Sequence, residues 1–367
     1  MSFKQGSLRL LATGIGSVPY LNIEATCRDI IFHFPRIPYW PQFVRRSRLE
    51  DMTIQFTESL PLLEIDKGSK ALILSTDLDR EKELVRFYDH FLAEDVEYFS
   101  ISEEYAPGLH MLLELLSDST ETLPDQFIKG QVVGPITFAA SIKGPDGKAV
   151  IHDTEILEAM VNGICMKALW QIRRLSSTGR KPILFMDEPY LSGFGSAFSA
   201  ISREKVIQIL ATSIMFLKER VDVLVGIHCC GNTDWAMLLD TKPDIINFDA
   251  YGYMDYFLLY AAEIGKFLER GGHIAWGIVP TSEFTGKDTV ESLELRLREG
   301  ANRLVASGID KDLLWASSML TPSCGMGTMS PEAALQATRI LSELSEKLRK
   351  EQLRKEQLQL NALSESP

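Results

Sequence analysis

The sequence predicts an α/β fold, a (β/α)8 TIM barrel with a C-terminal helical extension, and three observations carry that expectation. Short apolar runs of strand length alternate with stretches at helical spacing along most of the chain; such alternation means a parallel sheet covered by helices. About eight strand-like runs remain when one of Ala71–Ser75 and Val96–Ser102 is set aside, and eight such units most simply close into a barrel. Polar residues also recur at the C-terminal ends of these runs, at Ser17, Glu103, Asp187, His228, Asp249 and Cys324. A barrel gathers chemistry from several strands at that rim, whereas an open doubly wound sheet concentrates it at one crevice.

Leu8–Ser17 reads as a first strand running into a glycine turn closed by Pro19. Gly14 and Gly16 there let backbone N–H groups approach a ligand, although a Gly-x-Gly is equally an ordinary turn. Pro35, Pro38 and Pro41, interleaved with Phe34, Tyr39 and Trp40, give an irregular apolar loop from Phe32 to Phe43. It is read either as a pocket wall or as a docking surface with exposed aromatic anchors. Val96–Ser102 is preferred to Ala71–Ser75 for the main sheet because it ends in Glu103 and Glu104. Gln131–Phe138 is the next strand, with Pro135 near its exit. Asp153 to Arg174 carries Ile156, Leu157, Met160, Val161 and Ile164 at helical spacing. Ile183–Pro189, Val223–Gly231, Ile245–Asp249, Ile274–Val279 and the run Leu313–Leu320 complete the strands, with helices such as Glu204–Lys218 and Thr289–Ser307 between them. The last helix starts at Ser330-Pro331-Glu332, a serine cap with proline in the first turn. Its stripe of Ala334, Ala337, Ile340, Leu341, Leu344 and Leu348 fits packing on the barrel, and the stretch past Arg349 becomes a charged near-repeat. The expected organisation is one barrel domain, 1–345, followed by a charged helical tail, 346–367.

Composition narrows the function. A chain of 367 residues with 45% hydrophobic and 24% charged residues is that of a soluble globular protein. Its net charge of −12 argues against general nucleic-acid binding, which needs Lys and Arg to neutralise phosphates. No apolar stretch reaches the ~20 residues of a membrane span, and the N-terminus lacks the apolar core of a signal peptide. Five cysteines in such a chain favour reduced thiols that serve a metal or catalysis. A cytoplasmic enzyme, with neither nucleic acid nor membrane as partner, is the expectation.

The stretch Val223-Leu-Val-Gly-Ile-His-Cys-Cys-Gly231 sharpens it. Side chains alternate along a strand, so His228 and Cys230 point one way and Cys229 the other. An imidazole and a thiolate are two of the four ligands of a tetrahedral zinc, and Cys324 in Thr321-Pro-Ser-Cys-Gly-Met-Gly327 supplies a third. A free cysteine is often only a small packing hydrophobe, and spacing alone leaves both readings open.

With these residues assembled, the chain resembles the C-terminal catalytic half of cobalamin-independent methionine synthase. That family lies in a wider barrel superfamily with uroporphyrinogen decarboxylase and the corrinoid-protein-to-thiol methyltransferases. The resemblance runs from Thr13 to Gly327. The family's His-x-Cys and distant Pro-x-Cys-Gly are matched by His228, Cys230 and Cys324, with Pro322 and Gly325, which implies Zn2+. Asp249 stands where the family has a displaceable glutamate ligand, one methylene shorter. Ile15, Gly16 and Ser17 match the turn that meets the homocysteine carboxylate; Asp187, in Asp187-Glu188-Pro189, matches the aspartate that meets the amino group. A second family glutamate maps to Glu103, with Glu104 as competitor, and Gly134-Pro135-Ile136-Thr137 matches a Gly-Pro-x-Thr segment.

The resemblance implies a zinc-dependent methyltransferase that makes methionine from homocysteine, a small-molecule thiol. An unperturbed thiol has a pKa of about 8.5, and zinc deprotonates it outright. The family's N-terminal half, which helps bind folate, has no counterpart before Thr13, so the expected donor is a methyl-corrinoid (methylcobalamin) carried on a separate corrinoid protein. Two alternatives stay open: the same chemistry on another thiol such as coenzyme M, or a decarboxylase-like or binding barrel without zinc. Asp187 and the Ile15–Ser17 turn have little purpose for a thiol lacking an amino group. His110, His152 and His273 are read as structural.

Overall fold

The computed structural model describes residues 8–66, 68, 71–117, 126–194, 201–282 and 284–364. A small antiparallel pair, β1 (Leu63–Ile65) and β2 (Leu72–Leu74), stands apart from a six-stranded parallel sheet. That sheet runs in chain order: β3 (Phe127–Val133), β4 (Lys181–Asp187), β5 (Leu224–Cys229), β6 (Ile245–Phe248), β7 (His273–Val279) and β8 (Ser318–Pro322). The helices are α1 (Ile23–His33), α2 (Arg80–Leu92), α3 (Pro107–Ser117), α4 (Pro135–Ser141), α5 (Thr154–Ser176), α6 (Arg203–Lys218), α7 (Trp235–Asp240), α8 (Met254–Phe257), α9 (Ala261–Glu269), α10 (Val290–Ala306), α11 (Lys311–Ala316) and α12 (Pro331–Ser364). Except for Lys181, every residue of β3 to β8 is buried. Helices cover one face and the curl of the sheet covers the other, so the strands read as continuous apolar runs.

The regular eight-stranded barrel expected from the sequence is not formed by regular strands. Leu8–Ser17 pairs only through isolated bridges: Leu10 and Thr13 donate to Ser318 and Leu320 at 2.6 and 3.1 Å, and Ala12 bridges Leu320. On the other edge Tyr39 bridges Lys129 of β3, and Ser17 bridges Gln42. The two extended segments therefore connect β8 to β3 without a continuous ladder. Their prolines and glycines break it, since proline gives no donor.

That arrangement corrects the reading of the aromatic loop. Ile37, Tyr39, Trp40 and Phe43 are at most 1% exposed, and Trp40 Nε1 donates to Gln171 of α5 at 3.0 Å. Trp40 is core and not a docking anchor, whereas Phe32 at the start of that stretch is exposed. Val96–Ser102 is likewise not a strand. Val96–Phe99 is a 3-10 turn burying Val96 and Phe99, which share a face at that helix's spacing of three. Lys167 and Trp170 of α5 hold it through Ser100 O and Glu97, each at 3.2 Å. Ala71–Ser75 falls largely in β2, outside the main sheet. Pro135 opens α4 at its first turn, so the strand read as Gln131–Phe138 lies earlier, at Phe127–Val133. The run before Cys324 divides into α11, capped by Asp310, and β8. Helices α5, α6 and α10 lie where periodicity places them, and the α12 stripe is buried from Ala334 to Leu348. Ser345 of α12 donates to Leu10 O at 2.6 Å.

Inside the curl, Leu8, Leu11, Ile37, Phe127, Ile183, Phe185, Leu224, Ile245, Ala275 and Met319 form one apolar cluster. Two residues further along the same face of β3, β4, β6 and β8 come Lys129, Asp187, Asn247 and Thr321, all buried. Gln131 and His228, four residues on from Phe127 and Leu224, are buried with them. The interior is thus an apolar floor beneath a polar layer at the C-terminal rim. Among the described residues no helix is long and apolar enough to cross a membrane.

Candidate metal and substrate site

Strand β5 delivers its ligands as alternation demands. Gly226 lies between Leu224 and His228 on the inner face, where a Cβ would stand 2.6 Å from the Phe185 ring. Cys229 faces the helices, fully buried in the outer core, and burial pushes its thiol up to about 12. His228 and Cys230 turn to the rim, and Cys324 arrives two residues past the end of β8. Ligand atoms of His228, Cys230 and Cys324 all lie within 4.8 Å of one another.

Asn247, on β6 opposite His228, orients the imidazole. Its amide nitrogen donates to Ala275 O and Thr321 Oγ1, both at 2.8 Å, which turns its oxygen towards His228 Nδ1 at 2.5 Å. Nδ1 therefore carries the proton, and Nε2 is left for a ligand role. Burial alone lowers the His228 pKa, but hydrogen bonding to Cys230 and the nearby Asp187 charge raise it on balance. The Cys324 thiol, hydrogen-bonded to Cys230, together with His228, holds Cys230 well below the usual thiol range. Cys324 is pushed up in turn by the Cys230 charge and by burial. One imidazole and two thiols with a fourth position open are the donor set of a catalytic zinc, and a cation there takes the place of these shared protons. The residues fit a zinc ion.

The same three residues line a cavity of ≈ 360 Å³ together with Ile15, Ser17, Gln42 and Asp187. Asp187 is 5% exposed, and its Oδ1 has no hydrogen-bond partner among the described residues. Burial pushes its carboxyl up to about 6, against the pull of His228 and Lys129. A buried, unpartnered carboxylate oxygen facing a cavity calls for a donor from outside the chain. Across the cavity, Ser17 Oγ accepts from Gly327 N at 3.3 Å and Ser17 O from Met326 N at 2.9 Å. A Cβ on Gly325 would sit 2.1 Å from Ser17 Oγ, so glycine beside Cys324 lets the two loops interlock. Arg45 fastens the same loop through the carbonyls of Gly327, Thr328 and Met329 at 3.0, 2.9 and 2.6 Å.

The structure therefore brings together Ile15, Gly16, Ser17, Asp187, His228, Cys230 and Cys324. Glu103 and Glu104 are exposed, in a turn after the 3-10 segment, and do not line the cavity. Asp249 is partly buried; its Oδ1 accepts from Gly252 N at 2.7 Å, and it stands outside the three-donor group while feeling the Cys230 and His228 charges. Sequence reasoning passed over Asn247, Lys129, Gln131 and Glu188. The signal for the first three was a polar residue inside an apolar strand, on the face shared with the site.

No protein-family model matches the sequence, and no curated protein matches it. The fold and site define a curled parallel α/β architecture with a His–Cys–Cys donor set at its rim. A solved structure sharing this fold is a B12-independent methionine synthase from Shewanella sp. W3-18-1, in complex with selenomethionine; the TM-score is 0.58 at 16% identity, over 94% of this chain and 99% of that one. A Bacillus subtilis YkuI protein with an EAL domain, in complex with c-di-GMP and calcium, superposes at a TM-score of 0.29 and 11% identity over 68% and 53% of the chains, too loosely to carry an argument.

Proposed function

We propose that the protein is a zinc-dependent methyltransferase that methylates the sulfur of homocysteine to give methionine. The observation that carries this reading is the unpartnered Asp187 carboxylate in the same cavity as His228, Cys230 and Cys324. A thiol-activating donor set beside an ammonium acceptor suits an amino-acid thiol. The selenomethionine held by the synthase of the same fold supports it.

Zinc held by His228, Cys230 and Cys324 would supply the positive charge that keeps a thiol deprotonated near neutral pH. The chain does the rest. Asn247 fixes the His228 ring; Asp187 receives the substrate ammonium; the Ile15–Ser17 turn offers its N–H groups to the carboxylate. Holding both ends of the amino acid orients the sulfur for in-line attack on a methyl carbon. Asp249 stands outside the three-donor group with its Oδ1 held by Gly252, and we assign it no ligand role.

The donor we propose is a methyl-corrinoid delivered by a separate protein. A second reading, favoured by the name B12-independent carried by the synthase of this fold, is a donor without corrinoid. Metal analysis of the purified protein, with methyl transfer from methylcobalamin and from methyl-folate to homocysteine, coenzyme M and simple alkyl thiols, tests the whole. Absence of zinc, or equal turnover of homocysteine and simple thiols, overturns the proposal; turnover with methyl-folate selects the second donor.

A further inference from the structure

Beneath the Ile15–Ser17 turn lies a buried lysine that the proposed chemistry does not use. Lys129 is fully buried on the inner face of β3, and its Nζ donates to Ile15 O at 2.5 Å and to Gln131 Oε1 at 3.2 Å, 4.6 Å from the centre of the Phe185 ring. Among the described residues no carboxylate lies within ion-pair distance of it. An ammonium so placed carries a desolvation cost that its two neutral acceptors and the Asp187 charge offset only in part, and burial pulls the Lys129 pKa down to about 7. Its position also matters. The Ile15 carbonyl belongs to the peptide unit whose N–H is that of Gly16, and charge drawn to the carbonyl oxygen makes that N–H a stronger donor. Among the described residues the N–H groups of Ile15, Gly16 and Ser17 donate to no protein acceptor. Gln131, in the same layer, donates to Trp40 O at 3.1 Å and so holds the segment whose Gln42 N–H donates to Gly16 O.

We infer that Lys129 is a positioning residue for the substrate carboxylate: it fixes the Ile15–Ser17 turn and polarises its amides, so that one end of the cavity takes an anion while Asp187 takes a cation. The inference rests on the reading of the substrate as an amino-acid thiol. It makes the floor of the cavity complementary to a zwitterion.

The test is calorimetric binding of methionine, 4-(methylthio)butanoate, which lacks the amino group, and 3-(methylthio)propylamine, which lacks the carboxylate. Measured well above the pH range in which Asp187 titrates, so that its charge does not depend on Lys129, Lys129→Met should weaken the two acids by roughly tenfold or more and leave the amine within about twofold. A residue that only supports the fold would weaken all three alike, and that result overturns the inference. Lys129→Gln keeps a neutral donor towards Ile15 and carries the test if the Met variant does not fold. It should also lose affinity for the acids selectively; acid binding equal to the unmutated protein's overturns the role of the charge. Failure of the underlying reading looks different, because the unmutated protein would then bind methionine no better than the amine.

Discussion

Thr137 Oγ1 donates to Glu188 Oε2 at 2.6 Å, and the same carboxylate accepts the N–H groups of Ile136 and Thr137 at 3.0 and 2.8 Å. Glu188 thus caps α4, and Gly134 is glycine because a Cβ would lie 2.1 Å from the Glu188 carboxyl carbon. The Gly-Pro-Ile-Thr and Asp-Glu-Pro segments are one device. With Glu188 pinned to α4, its neighbour Asp187 is aimed at the cavity.

Glu188 should make stability depend on pH. Burial, its largest influence, pushes it from 4.5 up to about 7 despite the three hydrogen bonds. The folded state then binds the proton more tightly than the unfolded chain, so this group's contribution is fully present below about 4.5 and is lost as pH rises through about 7. Glu188→Gln should remove that slope. It should also cost about 1–3 kcal/mol, because an amide nitrogen would confront donors. Urea unfolding of both proteins across that window checks the slope and the offset.

Asn247→Leu should lower zinc affinity about 10–100-fold while the fold persists, since loss of a ligand's hydrogen-bonding partner has that effect. Competition with a chelating dye measures it. Unchanged affinity would mean that Asn247 does not set the His228 tautomer.

How far the sequence reaches is clear from these residues. Strand alternation places Cys229 outward and Cys230 inward, because that period is local and needs no tertiary knowledge. The aromatic loop failed for the opposite reason. Trp40 and Tyr39 look like surface anchors until Gln171 and Lys129, more than 80 residues away, are seen to cover them. Val96–Ser102 has a strand's composition, but packing against Lys167 and Trp170 decides its conformation. Asn247 and Lys129 were legible only as polar interruptions, whose partners lie on other strands.

Strand register separates Cys229 from the donor cysteines Cys230 and Cys324, and Asp249 lies apart from both. Cys229→Ser should keep zinc and lose modest stability, a hydroxyl replacing a thiol in an apolar layer. Cys230→Ser and Cys324→Ser should each lose most of the metal, and Asp249→Asn should keep it, its carboxylate being engaged with Gly252. Metal content by mass spectrometry decides; zinc lost from Asp249→Asn would restore a ligand role to that residue.

Asp187 should govern recognition of the amino group and leave the metal alone. Its Oδ1 is buried without a partner among the described residues, so folding already bears the desolvation cost and a substrate ammonium recovers it through a charge-assisted hydrogen bond. Asp187→Asn keeps the size of the side chain and removes the charge. A loss of about 1–3 kcal/mol corresponds to a rise of roughly tenfold or more in KM for homocysteine, with zinc content unchanged. A simple alkyl thiol, having no ammonium to lose, should be turned over equally by both proteins. If Asp187→Asn slows both thiols alike, the carboxylate acts on the metal environment through His228, its neighbour across the β4–β5 ladder, and not on the substrate.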